Sequence, residues 1–453
     1  MNRRIVITGS GVIAANGAGS NEFFENCMKG IAPVEYIPSR WHEYNDFGCN
    51  IWSPLKKVDF GKYNITAIEQ KQLETTTKLA LSCCFQAVDD ARLKREVSDK
   101  KRNTYSLPEI DPERSGVIFG TGIGGISSFS EAFSYQVLNN IKSKLSDISN
   151  ASDNSCSKID SVTEKMIMPK RFNPFAVSMI MPNSSAANIG IKFGLKGLNN
   201  TISLACASGT AAIGSAYDAI RSGRLDFCVT GGVEYMFDEY GGLFYSFDVL
   251  KTLCKPSEQI DKSNMPFDEN RSGFLFSEGG CAVLILEELE AALKRNAPII
   301  AEIVSYSESC DAFNIMMIEP SGENMERMIC GLLNKSGVSP DDVDYINSHG
   351  TGTKLNDEVE TSVIEKIFGT KPFINSTKSL IGHTLGASGA IEAVVTAMSI
   401  KNKTVHECKN LKNPIKKLNF AYRPEGADIK TAISQSFGFG GHNTALLLKE
   451  YNG

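Results

Sequence analysis

Cys206 is the residue of this sequence whose setting points most directly to chemistry. It follows the apolar run TISLA, and the small residues after it lead into the helical pattern ASGTAAIGSAYDAIRSGR. At a helix N-terminus the helix dipole lowers the pKa of a cysteine and favours the nucleophilic thiolate. An ordinary packed cysteine is the alternative. The tight turn between strand and helix favours the nucleophile, and we predict this role for Cys206.

Two of the five histidines lie where α/β enzymes place catalytic groups. His349 ends the strand pattern in VDYINSHGTGT, and His383 lies in STKSLIGHTLGASGAIEAV, where a strand passes through glycine-rich turns into a helix. Such strand-to-loop junctions often carry binding and catalytic residues. His442 lies in FGFGGHN, and we predict surface positions for His42 and His406 because their surroundings are polar or mixed.

One cysteine with two histidines indicates nucleophilic acyl chemistry, which a Cys/His hydrolase could also perform. The separation of Cys206 and His349 along the chain is common in some hydrolases of this kind. A hydrolase needs one histidine and an orienting amide or carboxylate, so it leaves His383 and Lys378 without a function. The hydrolase is therefore the weaker hypothesis.

The stretch GTGIGG at residues 120–125 fits the G-x-G-x-x-G pattern of dinucleotide-binding turns. That pattern also requires a second apolar strand with an acidic residue about 20 residues further on. The sequence continues as ISSFSEAFSYQVL and then becomes polar. We therefore predict a tight turn from strand to helix rather than a cofactor site.

Short apolar strands alternate with longer helical patterns along the chain, which predicts an α/β fold. The strand candidates are RRIVITG, SGVIFG, TISLA, DFCVTGG, CAVLILEE, AEIVSYS, VDYINSHG, FINST and TALLLKE. The helix candidates are Ala67–Leu93, Gly209–Ser222, Asn324–Ser336, Asp357–Phe368 and Gly389–Lys401.

We predict two halves, residues 1–291 with the cysteine and residues 292–453 with the histidine pair. Two polar stretches in the first half, residues 94–112 and 139–164, lack apolar periodicity. We predict that both are surface insertions or mobile loops.

The composition excludes several other classes of protein. A net charge of −5 gives no reason to expect a nucleic acid or an anionic membrane as partner. No apolar run is long enough to span a membrane, and residues 8–11 interrupt the signal-like N-terminus with threonine, glycine and serine. The twelve cysteines show neither zinc-ligand spacing nor a disulfide framework. We expect a cytoplasmic protein without a metal site.

The ordered motifs of the chain resemble those of the elongating β-ketoacyl–acyl carrier protein synthases. The motifs are RRIVITGSGV, DPERSGVIFGTGIGG, GLKGLNNTISLACASGT, GGVE, PFDENRSGFLFSEGG, VDYINSHGTGTKLND, STKSLIGHTLGASGAIEA and SQSFGFGGHN. They run through nearly the whole chain, so a chance match is excluded. The resemblance implies a thiolase-like fold, a five-layered α/β/α/β/α arrangement of two similar halves, and a dimer.

The resemblance also implies a role for individual residues. Cys206 matches the nucleophile that takes the acyl group, and His349 and His383 match the pair that promotes malonyl decarboxylation. The remaining matches are the supporting charges Lys378 and Glu392 with neighbours Asp357 and Glu360, the phosphopantetheine-binding hydroxyls Thr351 and Thr353, the gate Phe439 that joins Cys206 in the oxyanion hole, and the substrate-binding Ile123 and Phe437.

The implied reaction is a decarboxylative Claisen condensation of an acyl chain on Cys206 with malonyl–acyl carrier protein. Backbone N–H donors would face the developing oxyanion, and imidazole donors would face the enolate. Decarboxylation supplies the carbanion, so no resident cofactor is expected, and the carrier protein brings the phosphopantetheine arm. Ile123 would form part of the floor of the acyl pocket.

Related subclasses fit the sequence less well. A starter-unit synthase carries a Cys-His-Asn set, a thiolase has a second catalytic cysteine, and a non-catalytic chain-length partner lacks the nucleophile that Cys206 provides. The active half of a heterodimer with a ketosynthase-like chain-length factor remains open beside a homodimer. Both fatty-acid and type II polyketide or polyene biosynthesis remain open as the pathway.

Two positions depart from the usual pattern of the family. His442 stands where the family has threonine in its GFGGTN loop, which places a third imidazole near the gate. Asp248 stands where a basic residue often helps to dock the acidic carrier protein. We therefore expect docking on other bases, with Lys71 and Lys251 as candidates.

Overall fold

The computed structural model describes residues 3–151 and 172–453. Ten strands of the main sheet lie on one continuous path: β1 (Ile5–Ala14), β2 (Ser115–Gly120), β3 (Asn199–Ile202), β4 (Phe227–Tyr235), β5 (Gly279–Glu288), β6 (Ala301–Cys310), β7 (Tyr345–Asn347), β8 (Phe373–Asn375), β9 (Thr431–Gly438) and β10 (His442–Lys449). Shorter strands are Gly17–Ala18 beside β1, and the pairs Glu35–Tyr36 with Ile51–Trp52, Glu96–Asp99 with Thr104–Ser106, and Thr404–Val405 with Glu425–Gly426.

The helices of the described residues flank this sheet. They are α1 (Ser20–Met28), α2 (Ala67–Gln72), α3 (Thr75–Asp90), α4 (Ile126–Ala151), α5 (Ala176–Ile180), α6 (Ser184–Phe193), α7 (Ser208–Arg221), α8 (Gly242–Val249), α9 (Leu289–Lys294), α10 (Glu323–Ser336), α11 (Lys354–Phe368), α12 (Lys378–Ile381) and α13 (Ser388–Asn402).

The two halves of the sheet have the same strand order. In the first half β1 pairs with β5 and β5 with β4, both antiparallel, and β4–β2 and β2–β3 are parallel pairs. In the second half β6 pairs with β10 and β10 with β9, both antiparallel, and β9–β7 and β7–β8 are parallel. An antiparallel pairing of β1 with β6 joins the halves. The prediction of two similar α/β halves is confirmed.

Helices α7 and α13 form the central layer of the molecule. Each contacts strands of both half-sheets, and the two helices contact each other. Helices α3 and α6 cover the outer face of the first half, and α10 packs on the strands of the second half with α11 beside it. The layers therefore alternate as helix, sheet, helix, sheet, helix, as the thiolase-like arrangement requires.

Glycines allow the two central helices to approach closely. A Cβ on Gly209 of α7 would lie 2.7 Å from the backbone nitrogen of Ala390, and one on Gly389 of α13 would lie 2.0 Å from Thr210 Oγ1. Residues 388–400 of α13 are buried on every side, which explains why most of them are small or apolar. This crossing places the N-termini of both helices beside the same cavity.

Two expectations about elements are corrected by the structure, and the surface insertion predicted at 94–112 is given a definite form. The helix predicted at Ala67–Leu93 is two helices, because the chain turns at Leu73 and buries Glu74, whose carboxylate accepts a hydrogen bond from Ser128. The stretch 94–112 contains a short hairpin. The loop predicted at 139–164 is helical as far as Ala151, the end of α4, and its residues 152–164 lie outside the described residues.

Helix α4 has a physical reason to extend into a stretch that appears polar. Phe129, Phe133, Val137 and Ile141 recur every four residues, so they share one face of the helix. All four are exposed in the single chain. In residues 3–151 and 172–453, no helix has the length and apolar character needed to cross a membrane.

Candidate active site

A cavity of about 220 Å³ lies where the two halves meet at the N-termini of α7 and α13. Cys206, His349 and His383 lie at its buried end, and four of the other predicted site residues line its walls. Those are Thr351, Thr353, Phe437 and Phe439. The structure therefore brings together residues that are up to 233 positions apart in the sequence.

The turn before α7 holds Cys206 in place. Ala205 has a φ of 49°, a left-handed conformation that residues with a side chain seldom adopt. Ser208 fastens this turn, since its hydroxyl accepts a hydrogen bond from the N–H of Leu204 (2.9 Å) and donates one to the carbonyl of Ala205 (2.7 Å). The Cys206 thiol consequently faces the cavity, although only 5% of the residue is exposed.

The pKa of Cys206 is raised to about 12, so the predicted lowering by the helix dipole is wrong for the free protein. Burial is the main cause, because it disfavours the charged thiolate. The positive charge of Lys378 and the backbone N–H groups of Phe439 and Cys206 act in the opposite direction. These N–H groups lie near the sulfur, so they are available to the carbonyl oxygen of an acyl group bound to it, as the predicted oxyanion hole requires.

The two imidazoles flank the cavity at right angles to each other. Their ring centroids are 5.5 Å apart, and His383 Nε2 lies 3.1 Å from Cys206 Sγ. Burial is the first cause that lowers the pKa of both rings well below the usual value, and the nearby Lys378 lowers both further. Both rings are therefore uncharged at neutral pH.

Lys378 determines the protonation of His349. Its ammonium group lies 3.1 Å from His349 Nδ1 and donates to the carbonyl of His349 (2.7 Å) and to Glu392 (2.6 Å). An ammonium group can only donate, so Nδ1 must accept and the ring proton is on Nε2, which faces the cavity. Burial raises the pKa of Glu392 to about 7, and Lys378 opposes that rise.

Asp357 and Glu360 shape the loop that carries His349. Glu360 accepts hydrogen bonds from the N–H groups of His349 (2.6 Å) and Gly350 (2.8 Å), and Asp357 accepts one from Gly352 (3.2 Å). Neither carboxylate lines the cavity. They hold the backbone between β7 and α11, and burial raises the pKa of Glu360 to about 7.

The turn between β9 and β10 closes one side of the cavity with Phe439. Gly440 and Gly441 follow with φ of 91° and 78°, and the N–H of Gly440 donates to the carbonyl of Ile315 (2.7 Å). His442 packs beside Gly440 and is not among the residues that line the cavity. The third imidazole thus supports the turn.

Sequence reasoning missed the loop that forms the mouth of the cavity. Met316, Met317 and Ile318 line it, and the side chain of Asn314 caps the loop by accepting the N–H groups of both methionines. The only signal in the sequence was the apolar run IMMI after β6, which fits neither a strand nor a helix.

The glycines of residues 120–125 surround a carboxylate of the protein itself. Glu234, fully buried at the end of β4, accepts the N–H groups of Gly122 (2.6 Å), Ile123 (3.1 Å) and Gly124 (3.3 Å). It also accepts the N–H of Gly386 (3.2 Å), in the turn after His383. The nest that binds a pyrophosphate in dinucleotide sites therefore holds Glu234 here. Glu234 is the last residue of the GGVE motif, and this role was not predicted from the sequence.

The structure shows the positions of three further residues for which the sequence made a prediction. Ile123 is half-buried in the apolar cluster that includes Cys206 and Met236, but it lies outside the residues that line the cavity. His42 is exposed, whereas His406 is fully buried, bonded to Thr377, and has a pKa lowered to about 4 by burial. The predicted surface position of His406 was wrong. Within the described ranges, no group of three or more histidine, cysteine or acidic side chains could hold a metal ion.

Comparison with known proteins points to one family. The family model described as "Beta-ketoacyl synthase, N-terminal domain" matches residues 2–292, and the corresponding C-terminal domain model matches residues 300–412. A 3-oxoacyl-[acyl-carrier-protein] synthase 2 of Synechocystis is 32% identical and covers 99% of this chain and 98% of its own. A 3-oxoacyl-[acyl-carrier-protein] synthase homolog of Saccharomyces cerevisiae is 33% identical, with 100% of both chains covered.

Solved structures resemble the chain over its whole length. One is a type II PKS acyl-carrier protein in complex with its ketosynthase bound to the hexaketide, with a TM-score of 0.82, 27% identity and full coverage of both chains. The ishigamide ketosynthase/chain length factor gives a TM-score of 0.79 at 25% identity, again with full coverage. A β-ketoacyl synthase from Burkholderia phymatum gives 0.80 at 27% identity and covers 99% of this chain and 100% of its own.

Proposed function

The chain belongs to the β-ketoacyl synthase family and is a condensing acyltransferase, and we propose that Cys206 carries the acyl chain during the reaction. The enzyme joins this chain to malonyl–acyl carrier protein by decarboxylative Claisen condensation and releases a β-ketoacyl–acyl carrier protein. The observation that carries the proposal is the convergence of Cys206, His349 and His383 on one cavity, with His383 Nε2 3.1 Å from the sulfur.

The first half-reaction loads the acyl chain. The sulfur of Cys206 forms a bond to the thioester carbon, the bond to the carrier's sulfur breaks, and the carrier thiol leaves with the proton that Cys206 gives up. The oxyanion of the tetrahedral intermediate lies toward the backbone N–H groups of Cys206 and Phe439. Because burial raises the thiol pKa, loading depends on the charge of Lys378 and on these donors.

The second half-reaction forms the carbon–carbon bond. The bond between the malonyl carboxylate and its methylene carbon breaks, and carbon dioxide leaves while its electron pair stays as an enolate. That carbon attacks the acyl group, and Cys206 leaves as a thiolate. The His349 Nε2–H, held in this state by Lys378, donates to the enolate oxygen, and His383 acts beside it. Glu392 balances the buried charge of Lys378.

The phosphopantetheine arm of the carrier protein reaches Cys206 through the cavity. The hydroxyls of Thr351 and Thr353, 2.8 Å apart on its wall, suit the amide groups of such an arm. Met316 and Met317 supply apolar, adaptable contacts at the mouth. No resident cofactor is needed for this chemistry, since the carrier brings both the arm and the thioester.

The carrier protein docks over the mouth of the cavity. Lys251 is exposed there, one residue before Thr252, which lines the cavity, and it suits an acidic partner. Lys71 is exposed on α2, in a groove of its own away from the cavity mouth. Asp248 has an internal function, because its carboxylate accepts the N–H groups of Gly48 (2.6 Å) and Cys49 (2.8 Å). Lys251 is the stronger of the two docking candidates.

The enzyme works as a dimer through the face formed by α4 and the segment around α5. Phe133 is 60% exposed on α4, and Val177 is 73% exposed on α5. Strand β3 lies at the end of the strand order nearby, so its edge is open for pairing. A second copy of the chain covers this face in a homodimer, and a chain-length factor covers it in a heterodimer.

The cytoplasm is the compartment that suits the thiols. The eleven cysteines of the described residues are free. Reducing compartments keep buried cysteines in this form.

The pathway served is fatty-acid biosynthesis or type II polyketide or polyene biosynthesis, and the enzyme's preference for particular acyl chains distinguishes these pathways.

The direct test of the proposal is mass spectrometry of Cys206 after incubation with acyl–acyl carrier proteins of graded length and unsaturation. We expect a mass increase equal to each accepted acyl group on the peptide that contains Cys206, and no increase in Cys206→Ala. Cys310 is a built-in control, since it is an exposed cysteine outside the cavity. Acylation of Cys310 in place of Cys206 contradicts the proposal.

A further inference from the structure

Ser388 contacts the side of His383 that faces away from the cavity. It is the first residue of α13, only 2% of it is exposed, and its Oγ lies 3.0 Å from His383 Nδ1. The hydroxyl of Thr384, fully buried, lies 3.0 Å from the same Oγ. The three side chains form a short hydrogen-bonded row that ends, through His383 Nε2, at Cys206 Sγ.

We propose that Ser388, supported by Thr384, is a positioning residue that keeps the proton of His383 on Nε2. In this arrangement the Thr384 hydroxyl donates to Ser388 Oγ, and the Ser388 hydroxyl donates to His383 Nδ1. The ring nitrogen that faces the cavity then carries the N–H. The inference rests on the proposed condensing function, because it assigns a purpose to that N–H.

The direction of the row follows from the number of hydrogens and acceptors. Each hydroxyl has one hydrogen, and with Thr384 donating to Ser388 and Ser388 to His383 both hydrogens have acceptors. In the reverse direction Nδ1–H donates to Ser388, and Ser388 donates to Thr384. The Thr384 hydrogen then has no acceptor among residues 3–151 and 172–453, since Ser388 is the one partner of that hydroxyl. A buried unpaired donor is costly, so the first direction is favoured.

His349 provides an independent parallel. Lys378 forces its Nδ1 to accept, which puts the proton on Nε2. Ser388 likewise makes Nδ1 of His383 an acceptor and leaves the proton on Nε2, without adding a second buried charge. The two rings, with centroids 5.5 Å apart, therefore present two N–H donors to one enolate oxygen. With the opposite tautomer, His383 would turn a lone pair toward that oxygen.

The first test reads the tautomer directly and needs no substrate. In protein labelled with ¹⁵N-histidine, the nitrogen shifts and one-bond couplings show which ring nitrogen carries the proton, and His383→Gln assigns the signal. We expect Nε2–H in the wild type and in Ser388→Thr, and a mixture of both tautomers in Ser388→Ala. A wild-type ring with its proton on Nδ1 overturns the proposal, as does an unchanged ring in Ser388→Ala.

The second test separates the two half-reactions. Loss of the Nε2–H tautomer lowers the competent fraction of enzyme, so Ser388→Ala should reduce kcat for malonyl decarboxylation at unchanged KM, by roughly three- to tenfold and in proportion to the Nε2–H fraction that the tautomer measurement gives. Loading of Cys206 should stay within about twofold of the wild type, because it uses backbone donors. Ser388→Thr restores the hydroxyl and should restore kcat, and Thr384→Val, which removes only the outer hydroxyl, should give a smaller loss.

Two outcomes of the kinetic test contradict the proposal. One is an equal loss in Ser388→Ala and Ser388→Thr, which indicates that the position acts through packing. The other is a loss of loading as large as the loss of decarboxylation. Failure of the proposed condensing function is a separate result, visible as a wild-type protein that neither acylates Cys206 nor releases carbon dioxide, and it leaves the tautomer measurement unaffected.

Discussion

At the scale of residues, burial controls the chemistry of this site more than charge does. Cys206, His349 and His383 each have a pKa shifted toward the uncharged form, and for all three burial is the largest cause. Lys378 and Glu392 form the ion pair of the site, 2.6 Å apart, although burial raises the pKa of Glu392 to about 7. Such a site uses uncharged imidazole N–H groups as donors, and the positive charge of Lys378 acts on the imidazoles and on the thiol of Cys206.

The neutral histidines give a prediction for the dependence on pH. Their pKa values lie well below 6.5, so both rings stay uncharged as the pH falls through that value. Protonation of His349 Nδ1 would break its hydrogen bond from Lys378. The histidines should therefore add no acid limb to the rate of malonyl decarboxylation between about pH 8 and about pH 6. Burial raises the pKa of Glu360 and of Glu392 to about 7, so we expect any limb in this range to come from these carboxyls. A limb near pH 6.5 that persists in the double variant Glu360→Gln/Glu392→Gln contradicts this assignment.

The residues of the site differ in how far the sequence could identify them. Cys206 and the two histidines were predicted because each lies at a strand-to-turn junction inside a motif that resembles the family's. The raised pKa of Cys206 and the burial of His406 were not predicted, since burial depends on neighbours from distant parts of the chain. Ser388 was overlooked for the same reason: only the folded turn brings its hydroxyl to His383.

At the scale of elements, two glycine-rich turns and one carboxylate form the support of Cys206. Glu234 at the end of β4 accepts N–H groups from the turn after β2 and from the turn before α13. A Cβ on Gly122 would lie 2.7 Å from Glu234 Oε2. The glycine is thus required by the close approach of a buried side chain that has no space to move.

Gly122→Ala tests this support. We expect it to lower the free energy of unfolding by about 1–3 kcal/mol, because overpacking a filled site displaces Glu234 from its donors. Urea denaturation followed by circular dichroism measures the change. Gly426→Ala is the matched control, since Gly426 is exposed and the nearest atom to its added Cβ is 4.0 Å away. Equal stability of the two variants would show that Glu234 does not constrain the turn.

The periodicity of apolar residues predicted some of the helices and strands but not all of them. The alternation of strands and helices was predicted correctly because buried strands and amphipathic helices have distinct periods. Helix α4 was predicted only in its first part, because its apolar residues lie on an exposed face among polar neighbours. The loop with Met316 and Met317 was missed because no period describes a loop. Its position at the cavity mouth depends on hydrogen bonds to the turn after β9.

At the scale of the whole molecule, two halves with one strand order surround a single site. Each half contributes one buried helix whose N-terminus reaches the cavity, α7 behind Cys206 and α13 behind His383. Cys206 and His383 thus come from equivalent positions of the two halves. This symmetry explains why the sequence motifs for Cys206 and His383 both read as a strand, a glycine-rich turn and a helix.

The apolar face of α4 and α5 predicts the oligomeric state. Val177→Asp places a charge on this face, and we expect it to convert a dimer to a monomer in size-exclusion chromatography with light scattering. Val97→Asp is the control, because Val97 is 55% exposed on the separate hairpin of residues 96–106. A Val177→Asp protein that elutes with the mass of the wild-type dimer assigns the interface to another face.

The central claim, that Cys206 carries the acyl chain in a decarboxylative condensation, is tested most directly by one reaction. Wild-type enzyme receives acyl–acyl carrier protein and malonyl–acyl carrier protein, and the masses of the product and the released carbon dioxide are measured. We predict a β-ketoacyl product with equimolar carbon dioxide, and a loss of at least about 10³-fold in Cys206→Ala. A product formed at the wild-type rate by Cys206→Ala would contradict the account.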